Sequence, residues 1–319
     1  MRAAAILLSV AVPACWAQAV ISAHSGMVNY VIGEVRLADK PVKLDGAIFP
    51  EVKLGQTLST KIGRAEILLT PGVFLRLDKN SSFRIISNKL ADTQVEILSG
   101  SALLEANEIL RDTHVTVKVC DSETLLLKNG LYHFNADAGQ VRTFEGRAQV
   151  SAASGSTSTE LKGGHTLLVG SLLTPDKFDK NKSKDELYAW SEQRDRRLEI
   201  SNLSVARGLS SSSFSNSLWA WDPWMGAFTF LPHSGAAYDP FGIPWYSPST
   251  VWIASLPGNG VYSSTGSNAS SQGYTPPGAS TSTAAPRDSG VTVVQTAPMG
   301  TPSSSIPSGA VARTSAPGR

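Results

Sequence analysis

Cysteine is almost missing from this chain. Its 319 residues hold two, Cys15 and Cys120. If Cys15 leaves with an N-terminal leader, one thiol remains and no internal disulfide can form. Charge is also scarce, at 17% of residues, against about a quarter in ordinary globular chains. The signs nearly cancel, with 28 Lys and Arg against 26 Asp and Glu. That balance excludes a strongly basic nucleic-acid binder and an acidic solvating tail. From Gly208 to Arg319 there are six charges, Asp222, Asp239, Arg287, Asp288, Arg313 and Arg319, and no Lys or Glu. Catalytic signatures are lacking too. No G-x-S-x-G elbow and no P-loop occurs, and His24, His114, His133, His165 and His233 have no metal-ligand spacing. The chain therefore reads as a non-enzyme with no catalytic residue, metal or cofactor.

The N-terminus reads as an address. Met1-Arg2 is a short positive start, Ala3 to Val12 is an uncharged apolar run, and Ala17-Gln18-Ala19 fits a small-residue cleavage site. This is the pattern of a secretory signal peptide over residues 1–19. A second reading takes Val12-Pro13-Ala14-Cys15 as a lipobox with a lipid anchor at Cys15, although Pro13 fits that motif poorly. No later run reaches the roughly 18 apolar residues of a transmembrane helix. The expected location is periplasmic or extracellular, with a lipoprotein as the alternative.

Residues 20–172 read as strands. Short runs rich in Val, Ile, Leu and Phe recur about every ten residues, cut by Gly or Asn. In Val73 to Asp78, Val73, Leu75 and Leu77 point one way while Phe74, Arg76 and Asp78 point the other. Thr113 to Cys120 alternates most cleanly, placing Cys120 on the face of His114 and Lys118. Asn129-Gly130 and Glu145-Gly146 predict two-residue hairpins. Pro71-Gly72 predicts a type II turn within a slightly longer loop. The fold class is all-β: a sandwich or a solenoid-like stack of short antiparallel strands. One α-helix and a largely irregular C-terminal region follow it. His133 reads as a surface or half-buried strand residue.

The strand region also resembles a known family. Gly33-Glu34-Val35 comes first, then Gly55-Gln56-Thr57-Leu58-Ser59-Thr60 and Gly63-Arg64-Ala65-Glu66-Ile67-Leu68-Leu69. Val73-Phe74-Leu75-Arg76-Leu77 with Ser81-Ser82, Leu98-Ser99-Gly100-Ser101-Ala102 and Phe144-Glu145-Gly146-Arg147-Ala148 complete the series. Their order is similar to that of the FecR domain of bacterial envelope proteins, over roughly residues 26 to 170. The resemblance implies an exported binding or scaffold module, with a sensory role as one option, and no catalytic residues. The regulators that named the family place an anti-sigma segment and a membrane helix before this domain. Here the leader runs straight into it, as in stand-alone members.

Residues 173–207 read as a linker and a helix. Asp185 to Arg207 has no Pro or Gly. Leu187, Trp190 and Leu198 form an apolar stripe that Arg194 interrupts, with Glu192, Arg196 and Arg197 on the solvated side. Residues 208–254 form an aromatic and Pro-rich segment. Phe214 to Trp252 holds eleven aromatic residues and five prolines, Pro223, Pro232, Pro240, Pro244 and Pro248. The prolines argue against regular helix or sheet there. Trp219, Trp221, Trp224, Tyr238, Trp245, Tyr246 and Trp252 are the candidate binding residues. Such rings either stack on a partner or fold back over the β-domain. The expected partner is an envelope protein or a cell-wall glycan, and not nucleic acid. Residues 255–319 are Ser, Thr, Pro, Gly and Ala with few apolar residues, and read as a disordered tail.

Overall fold

The computed structural model describes residues 25–44, 49–152, 157–170, 173–209 and 216–255. The leader at 1–19, Cys15, Phe214 and the tail beyond Ser255 lie outside these residues. The first strands are β1 (Met27–Leu37), β2 (Lys40–Pro41), β3 (Thr57–Leu68), β4 (Val73–Leu77), β5 (Ser82–Lys89), β6 (Asp92–Ser99) and β7 (Ser101–Ala106). Next come β8 (His114–Val119), β9 (Ser122–Leu126), β10 (Gly130–Asn135) and β11 (Gln140–Glu145). The series ends with β12 (Arg147–Ala152), β13 (Ser158–Lys162), β14 (His165–Leu168) and β15 (Asp176–Lys177). Helix α1 spans Glu186–Gly208. After it come β16 (Leu218–Asp222), β17 (Ala227–Leu231), β18 (Ala236–Tyr238), β19 (Pro244–Tyr246) and the short helix α2 (Pro248–Ser255).

The first fifteen strands form one sheet that folds over at β3. Thr57 to Ser59 at the start of β3 pair with β5, whereas Ala65 to Leu68 at its end pair with β4. Strands β13-β12-β9-β8-β6-β5 continue from one end of β3, and β4-β7-β10-β11-β14-β15 from the other. Gly33 and Gly63 face each other where the β1–β3 pairing slips register. Gly33 has φ +72°, and a Cβ on it would lie 2.1 Å from the Ile62 carbonyl oxygen. Only glycine permits this close approach.

The two halves enclose a shared core, giving the sandwich rather than the solenoid. Val95, Ile97, Val115, Val117, Val119 and Val150 meet Leu75, Leu77, Leu104, Tyr132, Phe134 and Val141 there. Each such buried side chain contributes about 1.5–3 kcal/mol. The alternation predicted from the sequence is what delivers these residues to one face. One pairing departs from the antiparallel expectation: β6 and β8 run parallel. The chain crosses to the other half through β7 between them, so it returns in the same direction.

Two predicted hairpins are corners instead. Strands β9 and β10, on either side of Asn129-Gly130, do not pair; β9 joins β8 and β12, while β10 joins β7 and β11. Asn129 accepts from the Ile109 amide at 2.8 Å and donates to the Asn107 carbonyl at 2.7 Å. Those bonds fix the crossing between halves. Strands β11 and β12 around Gly146 part in the same way. Tyr132 secures this corner from inside: its hydroxyl donates to the Lys128 carbonyl at 2.5 Å and accepts from the Arg147 amide at 3.0 Å. Burial pushes that phenol up. The Pro71-Gly72 expectation holds, with Val73 N donating to Thr70 O at 2.9 Å and Gly72 at φ +84°.

Helix α1 starts where the sequence places it. Asp185 caps it, accepting from the Tyr188 amide at 2.8 Å. Leu187 and Leu198 are buried, Trp190 is half-buried, and Arg196 and Arg197 are exposed. The outer face of the half-sheet containing β4, β7 and β10 lies beneath this helix and the segment that follows it. The expectation of no regular structure between Phe214 and Trp252 is corrected. Strands β16 and β17 form one hairpin, β18 and β19 another. The prolines sit where these elements tolerate them. Pro223 and Pro240 lie in turns, Pro232 follows β17, Pro244 opens β19 and Pro248 opens α2.

Candidate functional site

The outer face of β3, β4 and β7 carries charge where alternation places polar residues. Glu66, Arg76 and Glu105 stand there, and all three are buried. Helix α1 supplies Arg194 and Asp195 from above. Arg76 is the hub: Nε binds Glu66 at 2.9 Å, Nη1 binds Glu105 at 2.5 Å, and its two terminal nitrogens engage both Asp195 oxygens. Arg194 reaches Glu66 at 2.8 Å and stacks over Tyr30 with its carbon 4.0 Å from the ring centroid. Asn107 donates to Glu105 at 2.6 Å and Asn29 to Glu66 at 2.9 Å.

A fourth carboxylate, Asp239, comes from the turn between β18 and β19. It accepts from the Phe241 and Ile243 amides, both at 2.8 Å, and from the Trp245 indole at 3.4 Å. Four acids thus face two guanidiniums. Burial alone would raise Glu66, but Arg194 and Arg76 hold its carboxyl at about 2. Burial pushes Asp195 well above the usual carboxylate range, against the pull of Arg76. Burial, then Glu105, lift Asp239 to about 7. The excess negative charge is therefore relieved chiefly by a proton at Asp239.

The carboxylate oxygens of Glu105, Asp195 and Asp239 lie within 4.8 Å of one another, close enough to share a cation. Arg76 already occupies two of these groups, and backbone amides with the Trp245 indole hold the third. A cation would have to displace a buried guanidinium. These residues are arranged to lock α1 and the β18–β19 turn onto the sheet.

Two asparagines complete the lock. Asn29 of β1 accepts from the Phe228 amide at 2.7 Å and donates to its carbonyl at 2.9 Å. Asn202 of α1 donates to the Phe230 and Tyr246 carbonyls and accepts from the Tyr246 amide, each at 2.9 Å. Both stand in for a missing neighbouring strand. The charged residues and the two asparagines of this lock are not among the candidate binding residues that the sequence marks. The available signals were the outward placement of Arg76 and the charged Arg194 inside an apolar helix stripe. Together they mark a charged face meeting a charged helix.

The seven candidate binding residues divide. Trp219 and Trp245 are buried, packed on Phe74 and Phe230 with ring centroids 4.8–5.9 Å apart. Trp221 and Tyr246 are half-buried, and Trp221 packs on Phe49 and Phe228. Trp224 is 92% exposed, Tyr238 68% and Trp252 57%. Trp224 sits at the apex of the β16–β17 hairpin. Asp222 turns inward there and accepts from the Trp224 amide at 2.9 Å.

His133 is not a surface or half-buried residue. It is 3% exposed beneath the start of α1, with Asp185 3.5 Å away, and burial lowers it to about 4. Cys120 lies past the end of β8 in a left-handed conformation, φ +49°, with its thiol exposed. Lys118 binds Glu123 at 2.6 Å. A groove of about 810 Å³ runs past Glu34, Arg36, Thr60, Ser82 and Ser99. Among its hydroxyls, Thr60 donates to Ser81 O, and Ser82 bonds Ser99 at 2.7 Å.

No family model matches the sequence, and no curated protein does. Among solved structures the chain is similar to two crystal structures of a candidate anti-sigma factor from Parabacteroides distasonis ATCC 8503. Each is 14% identical with a TM-score of 0.35, covering 43% of this chain and 64% of the other. The chain thus spans just under two thirds of those structures. A likeness of that size carries no statement about activity.

Proposed function

We propose that this chain is an exported, non-catalytic binding or scaffold protein of the bacterial envelope, FecR-like and sensory in role. The observation that carries the proposal is the charge-free presentation of rings by the C-terminal segment. Between residues 216 and 255 the only formal charges are Asp222 and Asp239, and both are buried, at 2% and 4% exposure. The segment is held on the sandwich by buried charges and asparagines, so its exposed rings are displayed on a fixed base. The leader pattern at Met1 to Ala19 and the ordered glycine motifs support the envelope location. Among the described residues no helix is long and apolar enough to cross a membrane.

The exposure of Trp224, Tyr238 and Trp252 favours a second reading, a cell-wall or glycan binder. Cell fractionation with proximity labelling tests the first. Envelope proteins labelled around the chain are the expected result; a cytoplasmic chain would overturn it. Sedimentation with purified cell-wall sacculi tests the second, and a chain left in the supernatant would exclude it.

A further inference from the structure

Trp224, Tyr238 and Trp252 are the exposed rings of the described segment. The most exposed of them, Trp224, projects from a hairpin apex as a convex wedge. Pro223, Trp224 and Met225 are all exposed there, with Trp224 at 92% and Met225 at 38%. A single ring with so little around it has no wall to close on a sugar or a peptide. Asp222, two residues before it, is turned inward to accept from the Trp224 amide and is buried, so it offers no carboxylate to sugar hydroxyls.

The apex is built to be held still. The Gly226 amide donates to Asp222 O at 2.9 Å, and Gly226 adopts φ +58°, closing the turn. Below it, Asn29 fixes Phe228 by both backbone groups. Trp221 and Phe228 rest on Phe49, with centroids 4.8 and 4.9 Å away. Little conformational freedom is left to lose on binding.

Charge selects among the remaining occupants. The whole described segment from 216 to 255 shows no formal charge to solvent. A partner recognised through ion pairs would find nothing to pair with. An uncharged surface tipped by Trp and Met suits the bilayer interface, where an indole finds both an apolar body and wet headgroups. We propose that Trp224 and Met225 seat the protein on a lipid bilayer by insertion into its interfacial zone. This rests on the envelope reading above and gives its surface a ligand class, phospholipid. One apolar wedge gives weak and reversible attachment.

The test uses the protein purified from its own host, with the N-terminus that host leaves. It is sedimented with vesicles of phosphatidylcholine alone, and of phosphatidylcholine with phosphatidylglycerol. Both vesicle types should bind it equally, and salt should not release it. Trp224→Ala with Met225→Ser should lower the bound fraction on the order of tenfold, with an unchanged thermal midpoint. Acyl-chain-brominated vesicles should quench wild-type emission more than that of Trp224→Phe, whatever holds the N-terminus. The proposal is overturned by equal quenching, by a double variant that binds as the wild type does, or by binding that needs anionic lipid and is lost in salt. A protein that labels envelope neighbours yet ignores vesicles overturns this proposal alone.

Discussion

Arg76 of β4 and Asp195 of α1, 119 positions apart, form a two-point ion pair that no solvent reaches. Asp195→Ala leaves Arg76 paired with Glu66 and Glu105 and removes two buried hydrogen bonds, so it should cost about 1–3 kcal/mol. Urea unfolding measures the loss. Arg76→Met leaves Glu105 buried without a cation and should cost more, about 3–5 kcal/mol. Equal losses in the two variants would show that Arg76 is not the hub of the cluster.

Asp239 should make the fold pH-sensitive. It is raised from an ordinary carboxyl to about 7, with Glu105 and Asp195 facing it. The folded state therefore holds a proton that the unfolded chain releases near pH 4. Its contribution to stability is full below pH 4, falls as pH rises to about 7, and is flat above. Glu66, held at about 2, works in the opposite sense, losing its contribution as pH falls from about 4.5 to 2. Thermal unfolding across pH 4 to 8 should show wild-type stability declining toward neutrality. Asp239→Asn should flatten part of that decline, and an unchanged slope would count against the assignment.

The buried and exposed tryptophans should separate in mutation. Trp219 and Trp245 fill the space between sheet and hairpins, so Trp219→Ala should cost about 3–5 kcal/mol. Trp224→Ala should stay within about 0.5 kcal/mol. Chemical denaturation of the two variants compares them directly.

Much of this architecture is legible in the sequence because strand alternation is a local signal. Val73, Leu75 and Leu77 do share the core face, and Leu187 and Leu198 do anchor α1. The Asn129-Gly130 corner is not legible. Its turn chemistry is the same whether the next strand pairs back or crosses to the other half, and Asn107 and Ile109 decide it from a distance. Arg76 stands at an outward strand position, which is ordinarily solvated, and nothing local marks it or Glu66 as buried. What covers them arrives more than a hundred residues later. The prolines of the aromatic segment misled for another reason: each occupies an element's first residue, a turn or a position just past a strand.

Asn202 should hold the C-terminal hairpins in place. Asn202→Leu leaves the Tyr246 backbone without its partner, at about 1–3 kcal/mol for an unsatisfied buried group. Limited proteolysis should then cut between residues 216 and 255 before it cuts the sandwich. A digestion pattern matching the wild type would show that the asparagine is dispensable.

The lock across the outer face also sets a timetable. A chain delivered from its N-terminus presents Asn29 199 positions before Phe228, and Arg76 119 positions before Asp195. Until α1 and the hairpins arrive, the β4 half-sheet must wait with three charges and Phe74 uncovered. Contacts of such long separation close slowly, and exposed sheet surface invites association meanwhile. The sandwich and its cover should therefore mature in one late step, after nearly all of the described chain has emerged.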